Sequence, residues 1–264
     1  QNPQHLPKEL HSLLPNKATN PFEEIIQHQI SGQTSPENDF KNALNMAFDP
    51  KTPGYLLAAF LESARLKRET LNENQLCLDY LVQHTTQQTL KERPFIIDLC
   101  NAYDGFNRTP NLTPFLAPLL ASVGAPCVLH GIKSVAPKHG ITPHKILLEA
   151  HKNPLQTPLD CVEELRTLGW TYIDQHHFCP SLEQLVTLRT EMVKRPMLAT
   201  LEKYCRPLKH PTHHYIVTGY THPAYKDLMP PILNKISQKF LLMRGVEGSL
   251  QLNLDRPSRS LLGT

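Results

Sequence analysis

The sequence predicts an α/β protein, with a small N-terminal helical domain followed by a larger α/β domain whose sheet is mainly parallel. Two observations carry this prediction. The first ninety residues consist almost entirely of amphipathic helical patterns, whereas from Pro94 onward short apolar strand patterns alternate with helical ones. Strands that alternate with helices are joined by right-handed crossovers, and these place the strands parallel in one sheet.

The helical domain is predicted over residues 21–90, after an extended arm at 1–20 that contains three prolines. Helices of about 155–195 are expected to join it. Its own helices are recognised by apolar residues at helical spacing and by their end signals. The first is predicted from Pro21 to a stop at Gly32, and the second from the capping box at 34–37 to Ala47. The third is predicted over 53–68, and the fourth from the N-cap Thr70 to about residue 85.

The α/β domain is predicted over 91–154 and 196–264. Its strands are short apolar runs, predicted at 95–100, 126–131, 170–174, 214–220 and 239–245. The helices between them are predicted at 115–124, 142–151, 160–169, 181–194 and 225–237. Ligands of parallel sheets bind beyond the carboxyl ends of the strands. The loops at 98–111 and 130–140 are therefore expected to lie at the same mouth.

Composition sets further limits. Hydrophobic residues make up 40% and charged residues 19% of the 264 residues, as in ordinary globular proteins. The six cysteines are scattered without a Cys-x-x-Cys pair, which predicts free thiols in a reducing, cytoplasmic compartment, with disulfides or a structural zinc as the alternatives. No stretch is apolar enough to span a bilayer, so no membrane partner is expected. A net charge of +3 does not by itself indicate a nucleic-acid partner.

Five segments of the chain resemble the anthranilate phosphoribosyltransferases, a glycosyltransferase family of tryptophan biosynthesis. The most specific match is the run Ala59-Phe60-Leu61, Ala64, Arg65, Lys67, Glu69 and Thr70. The segments are 30–70, 95–123, 128–150, 188–208 and 244–252. The resemblance implies the fold described above, a homodimer formed through the helical domain, and Mg²⁺-dependent transfer of a phosphoribosyl group. It covers 22 to about 256, so we expect the C-terminal part of the family's α/β domain to be truncated here.

The chain departs from the family at the positions that carry this chemistry. The family's Gly-Thr-Gly-Gly-Asp phosphate loop corresponds to CNAYD at 100–104, where side chains replace three glycines. The family's Asp-Glu pair, which binds the metal, corresponds to Leu250-Gln251. We therefore predict a degenerate site with no catalytic residue and no metal or other cofactor. Mg²⁺ would be expected only if transferase activity were retained.

Several residues still match polar positions of the family's site. The alternative for each is a structural role, such as an ordered polar loop that caps the sheet. The candidates for binding a phosphate or nucleotide are Asp104, Gly105, Asn107, Thr109, His130, Gly131, Lys133 and Ser134. Arg189 and Arg195 are candidates for binding the acceptor or another anion.

Three functional hypotheses follow. The first is a non-catalytic protein that binds an anionic ligand, either a nucleotide or a single-stranded nucleic acid. Basic residues near the mouth, with Tyr103 and Phe106 as stacking platforms, would suit the nucleic acid. The second is an active glycosyl or phosphoribosyl transferase with a changed acceptor. The third is a non-catalytic dimer that binds a protein partner, for which the apolar helix faces at 22–31 and 53–64 are candidates.

Overall fold

The computed structural model describes residues 20–192, 194–254 and 257–264. The chain divides into two compact units, Gln1–Arg68 and Glu69–Thr264. Apart from Asn20, the predicted arm lies outside the described residues. The boundary between the units falls before the fourth predicted helix, whereas the sequence pattern placed it near residue 90. That helix and the helices of 155–195 pack against elements of the second unit, which is why they group with it.

In its described part, residues 20–68, the first unit contains three helices, α1 (Pro21–Ile30), α2 (Glu37–Ala47) and α3 (Gly54–Lys67). The side chain of Asn20 caps α1, because it accepts a hydrogen bond from the backbone N–H of Phe22 at 3.1 Å. Phe60 of α3 is fully buried, and its ring centroid lies 5.3 Å from that of Phe22 and 5.8 Å from that of Phe40. These aromatic contacts hold the three helices together.

The second unit alternates strands and helices as the sequence predicts. Its helices are α4 (Leu71–Gln83), α5 (Thr113–Ser122), α6 (Pro143–Glu149), α7 (Pro158–Leu168), α8 (Gln175–Phe178), α9 (Pro180–Glu183), α10 (Leu185–Met192) and α11 (Tyr225–Ile236). Its strands are β1 (Gln88–Thr89), β2 (Ile96–Cys100), β3 (Cys127–Gly131), β4 (Trp170–Asp174), β5 (Leu208–Lys209), β6 (His214–Tyr220), β7 (Lys239–Arg244) and β8 (Ser260–Gly263). Short 3₁₀ turns lie at Met197–Thr200, Glu202–Tyr204 and Val246–Gly248.

The main sheet has six strands in the order β4-β3-β2-β6-β7-β8. The first five are parallel, and β8 is antiparallel to β7 at the edge. A separate pair, β1 and β5, is also parallel. The predicted mainly parallel sheet is therefore confirmed. The carboxyl ends of its five parallel strands lie along one edge, where ligands of such sheets bind.

The two faces of the sheet differ in polarity. One face packs against α5 and α6 in an apolar cluster that includes Leu99, Leu129 and Tyr172 of the strands. Successive strand residues point to opposite faces. Asp98 of β2 and His130 of β3 therefore lie on the other face, which carries buried polar side chains.

Three local details differ from the prediction. The helix expected over 181–194 is broken into α9 and α10 by a turn at Gln184, where no glycine or proline marks the break. Strand β8 and the short pair β1 and β5 were not predicted, because two to four residues are too few to show a periodic pattern.

Among the described residues, no helix is long and apolar enough to cross a membrane. All six cysteines are free and buried, as expected.

Candidate functional site

Two loops meet at the carboxyl ends of β2 and β3. The first, residues 101–112, joins β2 to α5, and the second, residues 132–142, joins β3 to α6. Gly105 has a φ of +77°, and a Cβ atom there would lie 2.7 Å from the carbonyl carbon of Gly140. Only glycine permits this conformation and this close approach. Beside it, Phe106 and Ile141 form an antiparallel bridge that joins the two loops. The loops therefore lie at the same mouth, as the sequence predicted.

Tyr103 lies in the segment that matches the family's phosphate loop. Its side chain is only 2% exposed, and its hydroxyl is hydrogen-bonded to Nδ1 of His130. Within residues 100–105, Gly105 alone has a positive φ. The loop thus avoids the left-handed conformations that non-glycine residues disfavour, and the Tyr103 ring fills the space beneath it.

Asp98 is the centre of a buried polar cluster below this loop. Its side chain is fully buried, with Oδ1 2.9 Å from Nε2 of His130 and Oδ2 3.4 Å from Nε2 of His214. Burial acts to raise the pKa of Asp98, but the charge and hydrogen bond of His130, followed by the nearby ring of His214, outweigh it and hold the pKa well below its usual range. Asp98 is therefore a buried carboxylate that its neighbours keep ionised.

Possible metal ligands also lie in this cluster. Ligand atoms of Asp98, Cys100 and His130 are within 4.8 Å of one another, and all three residues are buried. Both ring nitrogens of His130 already have hydrogen-bond partners, Tyr103 and Asp98. Burial raises the pKa of the Cys100 thiol well above its usual value, which disfavours the thiolate that metals bind. We interpret the group as a hydrogen-bond network that supports the loop from below.

An open cleft of about 360 Å³ lies above the strand ends. Its residues come from both loops, from the segments after β6 and β7, and from the segment after α10. The lining residues are Asn107, Arg108, Pro137, Lys138, Arg195, Thr221, His222 and Glu247. Three of the eight side chains are basic and one is acidic, so the lining carries a net positive charge.

Lys138 connects the acidic groups around the cleft. Its ammonium Nζ lies 2.9 Å from Oε2 of Glu247 and 3.6 Å from Oδ1 of Asp104, and it donates to the carbonyl of Gly105 at 2.7 Å. Asp104 is nearly buried, and its Oδ2 also accepts from Nε of Arg195 at 2.8 Å. The carboxylate of Asp104 thereby fixes two of the cleft's cations in place.

Glu247 binds the tip of the first loop. Its carboxylate accepts hydrogen bonds from the backbone N–H of Arg108 at 2.9 Å and of Asn107 at 3.2 Å, and a long one from the Thr109 hydroxyl at 3.5 Å. We call these two amides, the Thr109 hydroxyl and the ammonium of Lys138 the donor cluster. Burial acts to raise the pKa of Glu247, but the hydrogen bonds from Lys138 and the two amides outweigh it and lower the pKa.

Apart from Arg189, the residues predicted from the sequence fall into three groups. Asp104, Gly105, Asn107, Thr109 and Arg195 lie at the cleft or bond to its lining residues. His130 and Gly131 are buried at the end of β3, below the loops. Lys133 and Ser134 do not line the cleft, and Ser134 instead contacts Nδ1 of His139 at 3.2 Å.

Arg189 is placed differently from the other candidates. Its side chain is buried, with Nη1 2.5 Å from Oε2 of Glu202, and Nη2 donates to the carbonyl of Ala136 at 3.3 Å. Its guanidinium is therefore held inside the second unit by its own partners and does not line the cleft, so we leave it out of the site.

Some lining residues were not among the predicted site residues. Thr221 and His222 follow β6, and Glu247 follows β7. These residues follow strands that are parallel to β2 and β3, so their place in the sequence could have predicted them at the same edge of the sheet.

Known proteins resemble the chain in sequence and in fold. The uncharacterized protein YbiB of Escherichia coli (strain K12) is 28% identical over 218 residues, covering 78% of this chain and 63% of that protein. An anthranilate phosphoribosyltransferase of Endomicrobium trichonymphae is 24% identical over 214 residues, covering 81% of this chain and 62% of that protein. Anthranilate phosphoribosyltransferase (TrpD) from Thermus thermophilus has a similar structure, with a TM-score of 0.71 at 17% identity over 89% of this chain and 72% of that one. No family model matches the chain.

The similar structure defines the class: a helical N-terminal unit with an α/β unit whose sheet is mostly parallel. The chain is similar to anthranilate phosphoribosyltransferases in sequence and in fold, at low sequence identity. It spans less than two thirds of the length of the E. coli and Endomicrobium relatives.

Proposed function

We propose that this chain binds a phosphorylated, anionic ligand in the cleft and does not carry out the ordinary phosphoribosyl transfer. The observation that carries the proposal is the convergence of Arg108, Lys138 and Arg195 on one cleft at the carboxyl ends of parallel strands. Guanidinium and ammonium groups are the usual protein partners of phosphate. The name of its relatives makes a phosphoribosyl compound the first ligand to test.

The positions that correspond to the family's metal carboxylates support the loss of transfer. Leu250 is 6% exposed and packs in the apolar cluster of the sheet. The side-chain oxygen of Gln251 accepts from the backbone N–H of Leu112 at 3.2 Å. Mg²⁺ prefers carboxylate, water and phosphate oxygens in octahedral geometry. Neither side chain fits that ion, so we assign no chemical step to Mg²⁺.

The first loop supports the same conclusion. The family's loop cradles phosphate with glycine amides, whereas here the Tyr103 ring is buried beneath the loop and bonded to His130. The donors that remain are at the tip of the loop, at Asn107, Arg108 and Thr109. We propose that these residues, with Lys138 and Arg195, contact the ligand.

Isothermal titration calorimetry with phosphoribosyl pyrophosphate, in EDTA and in Mg²⁺, tests this function. We expect binding with the same affinity in both conditions and no consumption of anthranilate. R108Q should weaken binding about tenfold because it removes one charge-assisted contact. R166Q is the matched control, since Arg166 is exposed, lies outside the cleft and pairs with Glu92. Metal-dependent binding with loss of anthranilate would instead favour the active transferase.

A nucleic-acid ligand has less support. Single-stranded nucleic acid usually stacks on exposed aromatic rings. Tyr103 and Phe106, the two rings expected to act as stacking platforms for bases, are each only 2% exposed. A gel-shift with a single-stranded oligonucleotide at two salt concentrations is the check, because phosphate contacts weaken steeply as salt rises. Salt-sensitive binding tighter than that of phosphoribosyl pyrophosphate would move the assignment to nucleic acid.

Self-association is a second proposal, favoured by apolar side chains exposed on the first unit. Ile30 of α1 is 70% exposed and Tyr55 of α3 is 73% exposed. Both belong to the helices that the sequence analysis proposed for a dimer. Analytical ultracentrifugation of the wild type and of Y55D tests it, and a wild type that sediments as a monomer at all concentrations would contradict it.

A further inference from the structure

The carboxylate of Glu247 occupies the donor cluster that a bound anion would need. Two backbone N–H groups, a hydroxyl and an ammonium point at one carboxylate group. The donors come from the loops after β2 and β3, whereas Glu247 comes from the turn after β7. Adjacent backbone amides and a lysine are the same groups with which proteins bind phosphate. An acidic side chain of the chain itself is thus positioned as an anionic ligand would be.

The backbone conformation of Glu247 is strained, which favours displacement of its carboxylate from the donor cluster. Its φ is +51° and its ψ is 23°, which is a left-handed conformation that residues with a Cβ disfavour. None of the residues Val246–Gly248 is buried. Moving the Glu247 side chain therefore displaces no fully buried group of this turn. The backbone N–H of Val246 still donates to the carbonyl of Gln251 at 2.8 Å.

The geometry of the donors favours a phosphate group over a carboxylate. Both oxygens of Glu247 accept from the amide of Asn107 at 3.2 Å, and one of them also accepts from Arg108. A terminal phosphate has three oxygens and up to two negative charges, so the four donors would share three acceptor atoms, whereas they share two in the carboxylate of Glu247. The adjoining cleft, with the exposed side chain of Arg108, has room for the rest of a small ligand.

We propose that Glu247 is a built-in competitor for the donor cluster, and that the ligand carries a terminal phosphate or diphosphate group that displaces it. This inference rests on the proposed function, since it assigns the ligand class of the same cleft. It explains how a site with several cations keeps its charges paired until an anion arrives. Binding frees the turn at Val246–Gly248.

The test measures the affinity for inorganic pyrophosphate by calorimetry at constant ionic strength. E247Q keeps the shape of the side chain but removes its charge, so it should bind pyrophosphate at least about tenfold more tightly than the wild type. E149Q makes the same change at an exposed glutamate of α6 outside the cleft, and should stay within about twofold of the wild type. E247G removes the carboxylate and suits the left-handed backbone, so it guards against a folding defect in E247Q.

A measurement on the wild type is independent of any substitution. Exchange of the Val246 amide, which donates to the carbonyl of Gln251 at 2.8 Å, should accelerate when pyrophosphate is added, because the Glu247 carboxylate no longer anchors the turn. If the wild type binds pyrophosphate but both Glu247 variants bind no more tightly than E149Q, the competitor role is overturned and the proposed function stands. If neither the wild type nor the Glu247 variants bind pyrophosphate or phosphoribosyl pyrophosphate, both proposals are overturned.

Discussion

Replacing Asp98 with asparagine should destabilise the second unit by about 2–3 kcal/mol at neutral pH. The carboxylate is fully buried, 2.9 Å from Nε2 of His130 and 3.4 Å from Nε2 of His214. A hydrogen bond to a charged group contributes about 1.5–3 kcal/mol. The substitution keeps the shape of the side chain and removes its charge, so we expect less than the ~3–5 kcal/mol that follows from deleting one partner of a buried ion pair.

Urea unfolding followed by tryptophan fluorescence measures this loss. Trp170 is the single tryptophan of the chain and lies in β4, which pairs with the strand that carries His130. With a denaturant slope of about 2 kcal/mol per molar urea, the midpoint of D98N should fall by about 1–1.5 M. D79N is the matched control, because Asp79 forms a half-exposed pair with Lys235 that contributes at most about 1 kcal/mol.

The pH dependence gives a second readout. The folded-state pKa of Asp98 lies below that of an unfolded aspartate, about 3.9, so its charge stabilises the fold above that pH. This stabilisation is lost progressively as the pH falls below that value. The difference between wild type and D98N should therefore shrink on acidification. Equal midpoints for D98N and D79N at neutral pH would refute the role assigned to the buried cluster.

Three further predictions use the same urea assay. Y103F removes the hydroxyl bonded to His130 and should cost about 1–3 kcal/mol, because a buried hydrogen-bonding atom loses its partner. R189M leaves the carboxylate of Glu202 buried without its cation and should cost about 3–5 kcal/mol. Burial lowers the pKa of Lys203 to about 8. Wild-type stability relative to K203M should therefore rise by about 3 kcal/mol from pH 8 toward 10.4, because there the unfolded lysine binds the proton that the folded one has released.

Surface variants serve as controls for these three. R166M changes an exposed arginine of α7 and should shift stability by no more than about 1 kcal/mol. Y55F lies on an exposed position of the first unit and should leave the Trp170 transition unchanged. If Y103F and R189M lower the free energy of unfolding no more than these controls do, the buried contacts contribute nothing measurable to stability. A K203M difference that stays constant between pH 8 and 10.4 would contradict the lowered pKa.

The order of elements could be read from the sequence because burial leaves a local signature. The runs at 95–100, 126–131 and 170–174 are short and largely apolar and alternate with helical patterns, which predicts the strands of a parallel sheet. The N-cap Thr70 is another local signal, and the structure has a complete capping box there with Glu73. The split between α9 and α10 was missed because no residue type at Gln184 marks a break.

The candidate site was predicted only in part. Sequence position placed Asp104, Asn107 and Thr109 in a loop at the strand ends, and the structure puts them beside the cleft. Arg189 matched a family position equally well, yet its guanidinium is buried against Glu202. A match to a motif gives the position of a residue along the chain, but it carries no information on which partner its side chain will find.

By itself the sequence determined the N-terminal helices, the parallel sheet and the two loops at its carboxyl edge. These features follow from apolar periodicity and from the order of strands and helices along the chain. The tertiary structure alone decided that Tyr103 closes on His130 and that Glu247 reaches the amides of Asn107 and Arg108. Glu247 is 140 residues from Asn107 along the chain. Contacts of that range depend on how strands stack and loops pack in space, and local sequence patterns do not encode them.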